Sequence, residues 1–422
     1  MVNQQQDRIR GWSLRDGRLA LTIVYALTLV VSSATQAQTF KVIHNFSGGQ
    51  DGASPYAGLT LDKVGNLYGT AYAGGIGYGT VYQLKPKGAN WIFNPLFSFD
   101  GSDGAYPEAR VVFGANGTLF GTTSAGGPDA GGVVYSLRPQ ARACATTICP
   151  WNETLLHSFT GGGTGGWLPE FGDLLFDQAG NIYGTTYYGG NTGYNNGYGA
   201  GVVFQLTPPG IWNTENVLYA FSISDGEFPT NGVTFDNAGN LYGTTSFAGL
   251  DASGTVFELM YPGWAQQCTL SNFPNGNDGS YPLAGLVFDQ SGNLYGTTSD
   301  GGKNENGTIF QLVYSAPCTW TLNTIYSFTG PTGGCGPRGT LVLDSAGNIY
   351  GATACAGAHG FGNIFKLTHN TWAYTSLYDF NGGNDGAYPT GQVILDSKGD
   401  LYGTTRAGGT QNVGVAWEIT FP

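Results

Sequence analysis

The sequence predicts an all-β protein folded as a seven-bladed β-propeller of four-stranded blades, and three observations lead to that prediction. A motif of the form Gly-Asn-Leu-Tyr-Gly-Thr recurs seven times, beginning at Gly65, Gly117, Gly180, Gly239, Gly292, Gly347 and Gly399. Successive copies are 52 to 63 residues apart, close to the length of one propeller blade. Glycine accounts for 71 of 422 residues and aromatic residues for 14%, which suits short buried strands joined by tight turns.

Each repeat is predicted to contain four strands, and the fifth copy illustrates the pattern. Its strands are predicted at Leu286–Phe288, Asn293–Thr298, Thr308–Leu312 and, after a longer variable loop, Thr324–Phe328. A hairpin turn joins the first two strands, because the Asp289 side chain can bond the turn backbone and Gly292 accepts positive φ. Tyr295 and Gly296 fall on opposite faces of strand two. A bulky ring opposite a missing side chain suits the face-to-face packing of neighbouring blades.

The two ends of the repeat array complement each other. The segment Lys41–Phe46 matches strand four of a repeat, whereas the last strand, Val415–Ile419, matches strand three. The seventh blade therefore lacks a fourth strand at its C-terminal end. We expect residues 40–46 to complete that blade, which closes the ring and leaves no open sheet edge. Residues 38–422 are then a single propeller domain.

The first 37 residues are predicted to be a secretory signal peptide. Four arginines precede an apolar run at Leu19–Val31, and small residues follow it. An uncleaved membrane anchor is the alternative, although the run is short for a membrane span. After removal of the signal we expect no membrane span. The predicted location is secreted, either extracellular or periplasmic.

Export permits disulfide bonds, and six cysteines follow the signal. Cys335 and Cys355 lie in two loops of one predicted blade and are the first expected pair. Cys144 and Cys149 would close a short loop and are the second pair. Cys268 and Cys318 remain by elimination. They occupy comparable places in neighbouring repeats, and the sequence leaves open whether they lie close enough to bond.

The repeat resembles a known family. The pattern Asp-x-x-Gly-Asn-Leu-Tyr-Gly-Thr-Thr, followed by Gly-Gly, Gly-Thr-Val-Phe-x-Leu and Leu-Tyr-x-Phe, is similar to the GloVer repeat of exported bacterial choice-of-anchor proteins. The resemblance covers nearly all of the chain after the signal. It implies a secreted or surface-located repeat protein. It transfers no catalytic residues.

The loops that enter each repeat contain an Asp-Gly pair in five copies. These pairs are Asp51-Gly52, Asp103-Gly104, Asp225-Gly226, Asp278-Gly279 and Asp385-Gly386. A ring of carboxylates could bind a sugar or Ca²⁺, but a residue repeated in blade after blade is usually structural. We favour the interpretation that these Asp residues cap their own turns, so no cofactor or metal is expected. The net charge of −12 argues against nucleic acid as a partner.

Positions at which the repeats differ are better candidates for function. Stepping back three residues from the first-strand apolar residue gives Gly58, Arg110, Asp173, Gly232, Gly285, Thr340 and Gln392. If strand one is innermost, the polar members of this set form a ligand pocket at the channel mouth. The alternative is that Arg110 and Asp173 form a structural pair between blades.

Further residues near this mouth are secondary candidates. Arg338 and His359 lie close to the Cys335 and Cys355 loops and could contribute to a site. Glu108 and Glu170 each follow a proline at the rim. Because they occupy equivalent positions one blade apart, we interpret them as a local variation of the repeat and not as a catalytic acid–base pair.

These observations favour an exported, monomeric binding or interaction module, whose ligand is a glycan or a cell-surface partner. A secreted carbohydrate hydrolase or lyase is the first alternative. No Gly-x-Ser-x-Gly nucleophile motif is present to support it. A structural surface scaffold without a small ligand is the second alternative.

Overall fold

The computed structural model describes residues 38–140, 151–208, 214–264, 267–274 and 276–422. Residues 40–420 form one compact unit. Within the described residues the fold is the predicted all-β, seven-bladed propeller, without an α-helix; six blades are four-stranded antiparallel sheets, and blade 6 has a fifth, short strand. No helix in this part of the chain has the length and apolar character needed to cross a membrane. The proposed signal peptide lies outside the described residues.

In blades 1 to 5 the four strands of the blade sheet follow one another in chain order from the innermost to the outermost position, whereas in blade 7 the outermost strand is the N-terminal one. Strand β1 is Thr39–Asn45; blade 1 contains β2 (Thr60–Leu61), β3 (Leu67–Ala71), β4 (Thr80–Lys87) and β5 (Asn90–Ser98); blade 2 contains β6 (Val112–Phe113), β7 (Leu119–Thr123), β8 (Val133–Arg138) and β9 (Asn152–Ser158); β10 (Gly166–Trp167) is accessory; blade 3 contains β11 (Leu175–Phe176), β12 (Ile182–Thr186), β14 (Val202–Leu206) and β15 (Glu215–Ala220), with β13 (Tyr188–Gly189) pairing with β10.

The other strands belong to blades 4 to 7. Blade 4 contains β16 (Thr234–Phe235), β17 (Leu241–Thr245), β18 (Thr255–Leu259) and β19 (Gln267–Asn272); blade 5 contains β20 (Val287–Phe288), β21 (Leu294–Thr298), β22 (Thr308–Ala316) and β23 (Thr319–Ser327); blade 6 contains β24 (Cys335–Pro337), β25 (Val342–Leu343), β26 (Ile349–Cys355), β27 (Asn363–Thr368) and β28 (Ala373–Asp379); blade 7 contains β29 (Ile394–Leu395), β30 (Leu401–Thr405) and β31 (Val415–Thr420). Single 3₁₀ turns occur at Ala115–Gly117 and Asn195–Gly197.

The repeated motif forms the turn and the second strand of each blade. In blade 5, one carboxylate oxygen of Asp289 accepts hydrogen bonds from the backbone N–H groups of Ser291 (2.8 Å) and Asn293 (2.9 Å). The other oxygen accepts one from the Tyr295 hydroxyl at 3.1 Å. A side chain at Gly296 would place its Cβ 2.5 Å from the Phe310 ring of the next strand. The motif is therefore required by the hairpin and by the packing of the sheet.

Neighbouring blades pack face to face through apolar clusters. One such cluster joins Ile309 and Phe328 of blade 5 to Leu341 and Phe365 of blade 6, and all four are at most 1% exposed. Burial of each large apolar side chain contributes roughly 1.5–3 kcal/mol. The same kind of cluster recurs between other blades, so the rigid frame of the molecule comes from its repeated residues.

The N-terminal strand β1 lies in the sheet of blade 7, next to β31. The Phe46 backbone N–H, just after β1, donates a hydrogen bond to the Gly414 carbonyl at 3.1 Å. Phe46 is fully buried in a cluster that also contains Tyr82 of blade 1 and Tyr402 of blade 7. The N-terminal strand therefore occupies the fourth-strand position of blade 7, as its sequence predicted. The role of β1 in keeping the ring closed stays a prediction.

The outer half of blade 5 differs from the predicted pattern. Strands β22 and β23 extend well beyond the expected bounds and meet in a tight hairpin, where a longer loop was predicted. Trp320 belongs to β23 and pairs with Tyr314. The alternation of apolar and polar residues in this segment continues the strand pattern, and the tryptophan marked an outer strand instead of a loop.

Two disulfide bonds connect described cysteines. Cys335 and Cys355 pair within blade 6, as predicted, with a Cα–Cα distance of 5.0 Å. Cys268 of blade 4 pairs with Cys318 of blade 5 at a Cα–Cα distance of 5.4 Å, so the pairing that was left open forms. The hairpin of blade 5 turns back toward β19 and brings Cys318 within reach. The predicted Cys144–Cys149 pair lies outside the described residues.

Candidate functional site

A proline at the start of each blade organises the rim of the propeller. These rim prolines are Pro55, Pro107, Pro169, Pro229, Pro282, Pro337 and Pro389. The residue before each one has a positive φ between 53° and 61°. In blade 2, the backbone N–H of this residue, Tyr106, donates to the Tyr78 carbonyl of blade 1 at 2.9 Å. Equivalent bonds occur at the other blades, so each rim loop is held by the preceding blade.

Close packing reinforces this loop. The Cδ atom of Pro107 lies against Gly79, where a Cβ atom would be only 2.5 Å away. The glycines before strand three of the other blades contact the next rim proline in the same way. The backbone after each proline is therefore fixed relative to two blades at once.

The residues immediately after the rim prolines converge on the propeller axis. We call them the post-proline residues: Tyr56, Glu108, Glu170, Thr230, Leu283, Arg338 and Thr390. All seven line one cavity of about 260 Å³, which we call the central cavity. Arg110, Asp173, Thr340 and Gln392 line the same cavity. The structure thus brings the four main candidates together in one cavity. The seven post-proline residues line the same cavity, although most of them were not candidates from the sequence.

Arg110 and Asp173 form an ion pair across blades 2 and 3. The Nε and Nη2 atoms of Arg110 donate to Asp173 Oδ2 at 2.8 and 2.5 Å, and its backbone N–H donates to Oδ1 at 3.0 Å. Arg110 Nη1 also donates to the Leu59 carbonyl of blade 1 at 3.3 Å. This arrangement matches the structural alternative considered for the pair. Two guanidinium N–H groups still lack a partner among these bonds and can face a ligand.

Thr340 and Gln392 lie on the opposite side of the cavity wall. The Thr340 hydroxyl accepts a hydrogen bond from the Gly285 backbone N–H at 3.1 Å. A side chain at Gly58 would collide with the Gln392 backbone carbonyl. Close approach of the inner strands therefore sets the small radius of the cavity.

The secondary candidates separate in the structure. Arg338 is exposed and lines the central cavity. His359 is exposed in the turn at residues 357–360 and is not part of the cavity lining. Arg338 and His359 therefore do not share a site at the central cavity, although both were expected near the same loops.

Glu108 and Glu170 were interpreted as repeat variation, but both carboxyl groups line the central cavity. Burial and the nearby Glu170 carboxylate raise the pKa of Glu108 to about 7. Burial raises the pKa of Glu170 to about 7. Near neutral pH each group can therefore accept or donate a hydrogen bond. The sequence feature that could have identified them is that each directly follows a rim proline, where the residue type varies from blade to blade.

Aromatic side chains complete the wall. Tyr56 and Phe171 meet edge to face with ring centroids 6.4 Å apart, and Tyr187 stacks on Phe228 at 4.4 Å. Phe171 and Phe247 keep 38% and 41% of their surface exposed. The cavity therefore combines apolar ring faces with a few hydrogen-bonding groups.

The Asp-Gly loops make contacts of the kind expected for turn caps. Asp385 accepts hydrogen bonds from the Tyr378 hydroxyl and the Asn381 backbone N–H, both at 3.0 Å. In the described residues, the one grouping of potential metal ligands is Glu258 with Cys268 and Cys318. The two sulfur atoms are bonded to each other and are not thiolate ligands.

Comparison with known families agrees with the repeat structure. The family model of the Gloeobacter/Verrucomicrobia repeat matches residues 23–196 and 260–422. The chain belongs to the Gloeobacter/Verrucomicrobia repeat family. The predicted resemblance to the GloVer repeat is confirmed. No curated protein matches this family member in sequence.

Solved structures share the fold of this family member. One is the extracellular domain of a protein assigned as a hybrid two-component system from B. thetaiotaomicron, with 12% identity and a TM-score of 0.53. The match covers 90% of this chain and 41% of that one, so this chain spans less than half of that extracellular domain. At this identity the similarity concerns the fold alone.

Two further structures are assigned as 6-phosphogluconolactonases. The one from Bacteroides uniformis is 16% identical with a TM-score of 0.46, and the match covers 77% of this chain and 84% of that one. The one from Bacteroides fragilis is also 16% identical with a TM-score of 0.46, covering 89% and 90%. Similarities this low say nothing about the activity of the present family member.

Proposed function

We propose that the protein is an exported, monomeric carbohydrate-binding propeller whose ligand occupies the central cavity. The observation that carries the proposal is that all seven post-proline residues line this one cavity and that they differ in chemistry. A scaffold does not require such variation at a position fixed so firmly by its neighbours.

The lining suits a sugar. Sugars present apolar C–H faces, which pack on aromatic rings such as Phe171, and hydroxyl groups, which bond to carboxyl, amide and guanidinium groups. Asn231 and Gln392 add amides to the carboxyl groups of Glu108 and Glu170. A volume of about 260 Å³ is just below the range of roughly 300–1,000 Å³ typical of small-ligand sites. The cavity therefore suits about one or two sugar units at a glycan end.

Measuring which glycans on an array the protein binds tests this proposal. We expect the protein lacking residues 1–37 to bind a defined subset of glycans and Phe171→Ala to lose most of that binding. Tyr314→Ala is the matched control, because Tyr314 is an exposed aromatic residue at 53% and is not part of the cavity lining. Absence of glycan binding, or equal binding by Phe171→Ala, would favour the scaffold alternative.

Glycoside hydrolysis is a second candidate function, and the two carboxyl groups in one cavity favour it. One protonated glutamate would donate its proton to the glycosidic oxygen, while the other carboxylate would take a proton from the water that attacks the sugar carbon. The raised pKa values of Glu108 and Glu170 suit such proton transfers near neutral pH.

Release of reducing sugar from the bound glycans tests the enzymatic alternative. Glu108→Gln and Glu170→Gln should each abolish release while the glycan still binds. Binding without measurable release by the unaltered protein would leave the carbohydrate-binding function and discard hydrolysis.

A further inference from the structure

A second cavity adjoins the central one on the rim of blades 5 to 7. We call it the side cavity; its volume is about 360 Å³, and Arg338 and Thr390 belong to both linings. It also contains Tyr388 and Arg406. Because two residues are shared, a ligand longer than one sugar can extend from one cavity into the other.

Arg406 spans the boundary between the two cavities. Its guanidinium carbon lies 5.9 Å from the ring centroid of Tyr56, in the central cavity, and 5.2 Å from that of Tyr388, in the side cavity. Cation–π contacts of this kind hold a guanidinium group in place while its N–H donors remain free to bond elsewhere. Arg406 is therefore positioned before any ligand arrives.

Neither arginine forms an ion pair with a carboxylate. Among the described residues, the ion pairs involve Arg110, His44 and His157, and none involves Arg338 or Arg406. Asp300 and Glu305 also line the side cavity, but both are exposed and lie beyond ion-pair distance of the arginines. The side cavity thus contains two cationic groups without an ion-pair partner, although the chain has a net charge of −12.

We infer that the side cavity is a carboxylate subsite and that the ligand is an acidic oligosaccharide containing a uronic acid. One sugar unit occupies the central cavity, and the carboxylate of a neighbouring unit bonds to Arg338 and Arg406. Guanidinium groups match the planar geometry of a carboxylate and form two parallel hydrogen bonds to it. This inference rests on the proposed carbohydrate-binding function and names its ligand class.

A panel of uronate oligosaccharides tests the inference. Galacturonate, glucuronate and mannuronate oligomers are each measured by calorimetry as the free acid and as the methyl ester, which keeps the sugar and masks the charge. We expect at least one free acid to bind about tenfold or more tightly than its ester. Arg338→Gln and Arg406→Gln should bring that ratio close to one, because each removes hydrogen bonds to the charged group that only the free acid carries.

Arg138→Gln is the matched control, because Arg138 is an exposed arginine outside both cavities. It should leave the ratio unchanged. Thermal unfolding of each variant establishes that loss of binding is not loss of the fold. Equal binding of acid and ester, or unchanged ratios in both cavity variants, would overturn the acidic-ligand inference while leaving the carbohydrate function in place. If no uronate oligosaccharide binds but neutral glycans on the array do, the acidic-ligand inference is likewise overturned and the carbohydrate function stays. If the protein binds no glycan at all, both the carbohydrate-binding proposal and the acidic-ligand inference are overturned.

Discussion

On the N-terminal side of each rim proline the chain adopts the same left-handed backbone conformation in all seven blades. On the C-terminal side the post-proline residues include tyrosine, glutamate, threonine, leucine and arginine. The first position is fixed by hydrogen bonds and packing with the preceding blade. The second faces the cavity, and its side-chain contacts differ between blades: the Thr230 and Thr390 hydroxyls donate to the Leu283 and Tyr56 carbonyls of the next blade, at 3.4 and 3.3 Å, a bond that the glutamates at this position do not make. The two positions on either side of the proline thus differ: the first repeats its backbone conformation, whereas the second varies its side chain, as the proposed ligand site requires.

The comparison implies that changes to repeated contacts should affect stability, whereas changes to the cavity lining should affect binding and its pH dependence. The largest effect is expected from removing β1. A protein beginning at residue 48 loses the fully buried Phe46 and exposes the edge of β31. We expect it to lose more than about 5 kcal/mol of stability or to fail to fold, measured by urea unfolding.

A protein beginning at residue 38 is the control for that truncation. It should unfold at the same denaturant concentration as the full chain. If the protein beginning at residue 48 were equally stable, β1 would not be needed to keep the ring closed.

The next largest effect is expected at the glycine that contacts a rim proline. Gly79→Ala should destabilise the fold by about 2–4 kcal/mol, because its Cβ would meet Pro107. Gly77→Ala is the matched control, since this residue also has a positive φ but no atom lies within 4 Å of its Cβ position. The difference between their unfolding midpoints measures the steric clash at Gly79, where the Cβ would meet the Ala71 and Tyr72 carbonyls of the same blade as well as Pro107. Equal midpoints would mean that the proline contact is dispensable.

A smaller effect is expected for the Arg110–Asp173 pair, which belongs to the cavity lining and also bridges two blades. Arg110→Ala and Asp173→Ala should each cost about 1–3 kcal/mol, with a coupling energy of similar size in the double variant. The side chains are 20% and 24% exposed, so solvent screening reduces the effect below that of a fully buried pair. Additive losses would show that the two residues act independently and would reopen a direct ligand role for each.

The smallest stability effect concerns pH. Glu108 and Glu170 have folded-state pKa values of about 7, above the ordinary value of 4.5. The folded protein therefore binds more protons than the unfolded chain between these values, and stability should fall as pH rises from about 5 to 8. Glu108→Gln or Glu170→Gln should remove part of that fall, about 1–2 kcal/mol each, in chemical denaturation at several pH values.

Glu153→Gln sharpens the comparison between structure and site. Burial raises the pKa of Glu153 to about 7 as well, but this residue is not part of the central cavity lining. Its variant should also flatten the pH dependence of stability and leave glycan binding unchanged. A pH-independent stability of the unaltered protein would contradict the assignment of these three carboxyl groups.

Much of the fold could be read from local features of the chain. The Asp289 turn cap, the Tyr295–Gly296 alternation and the spacing of the motif each depend on residues a few positions apart, and these features recur in the structure. The Cys335–Cys355 bond was also predictable, because the two cysteines lie in adjacent loops of one repeat. The strands of the blade 5 hairpin were predicted too short. An exposed outer strand that contains a tryptophan has a composition similar to that of a loop, so composition does not distinguish the two.

The candidate site was predictable only in part. Arg110, Asp173, Thr340 and Gln392 line the cavity as the inner-strand position suggested. Glu108 and Glu170 were recognised but misinterpreted, because equivalence in the repeat concealed that their carboxyl groups share one cavity. The Cys268–Cys318 bond was doubted because the distance between two outer strands depends on how the blades lean toward each other.

The sequence by itself determined the repeat, the blade and the chemistry of each rim position, because strand patterns and turn caps depend on neighbours along the chain. Tertiary structure alone decided that the post-proline residues, spaced about a blade apart in sequence, meet around one axis. It also decided that burial shifts the pKa values of two of them and that Arg406 is held between the aromatic rings of two cavities. These properties depend on distances across the ring, which no local pattern encodes.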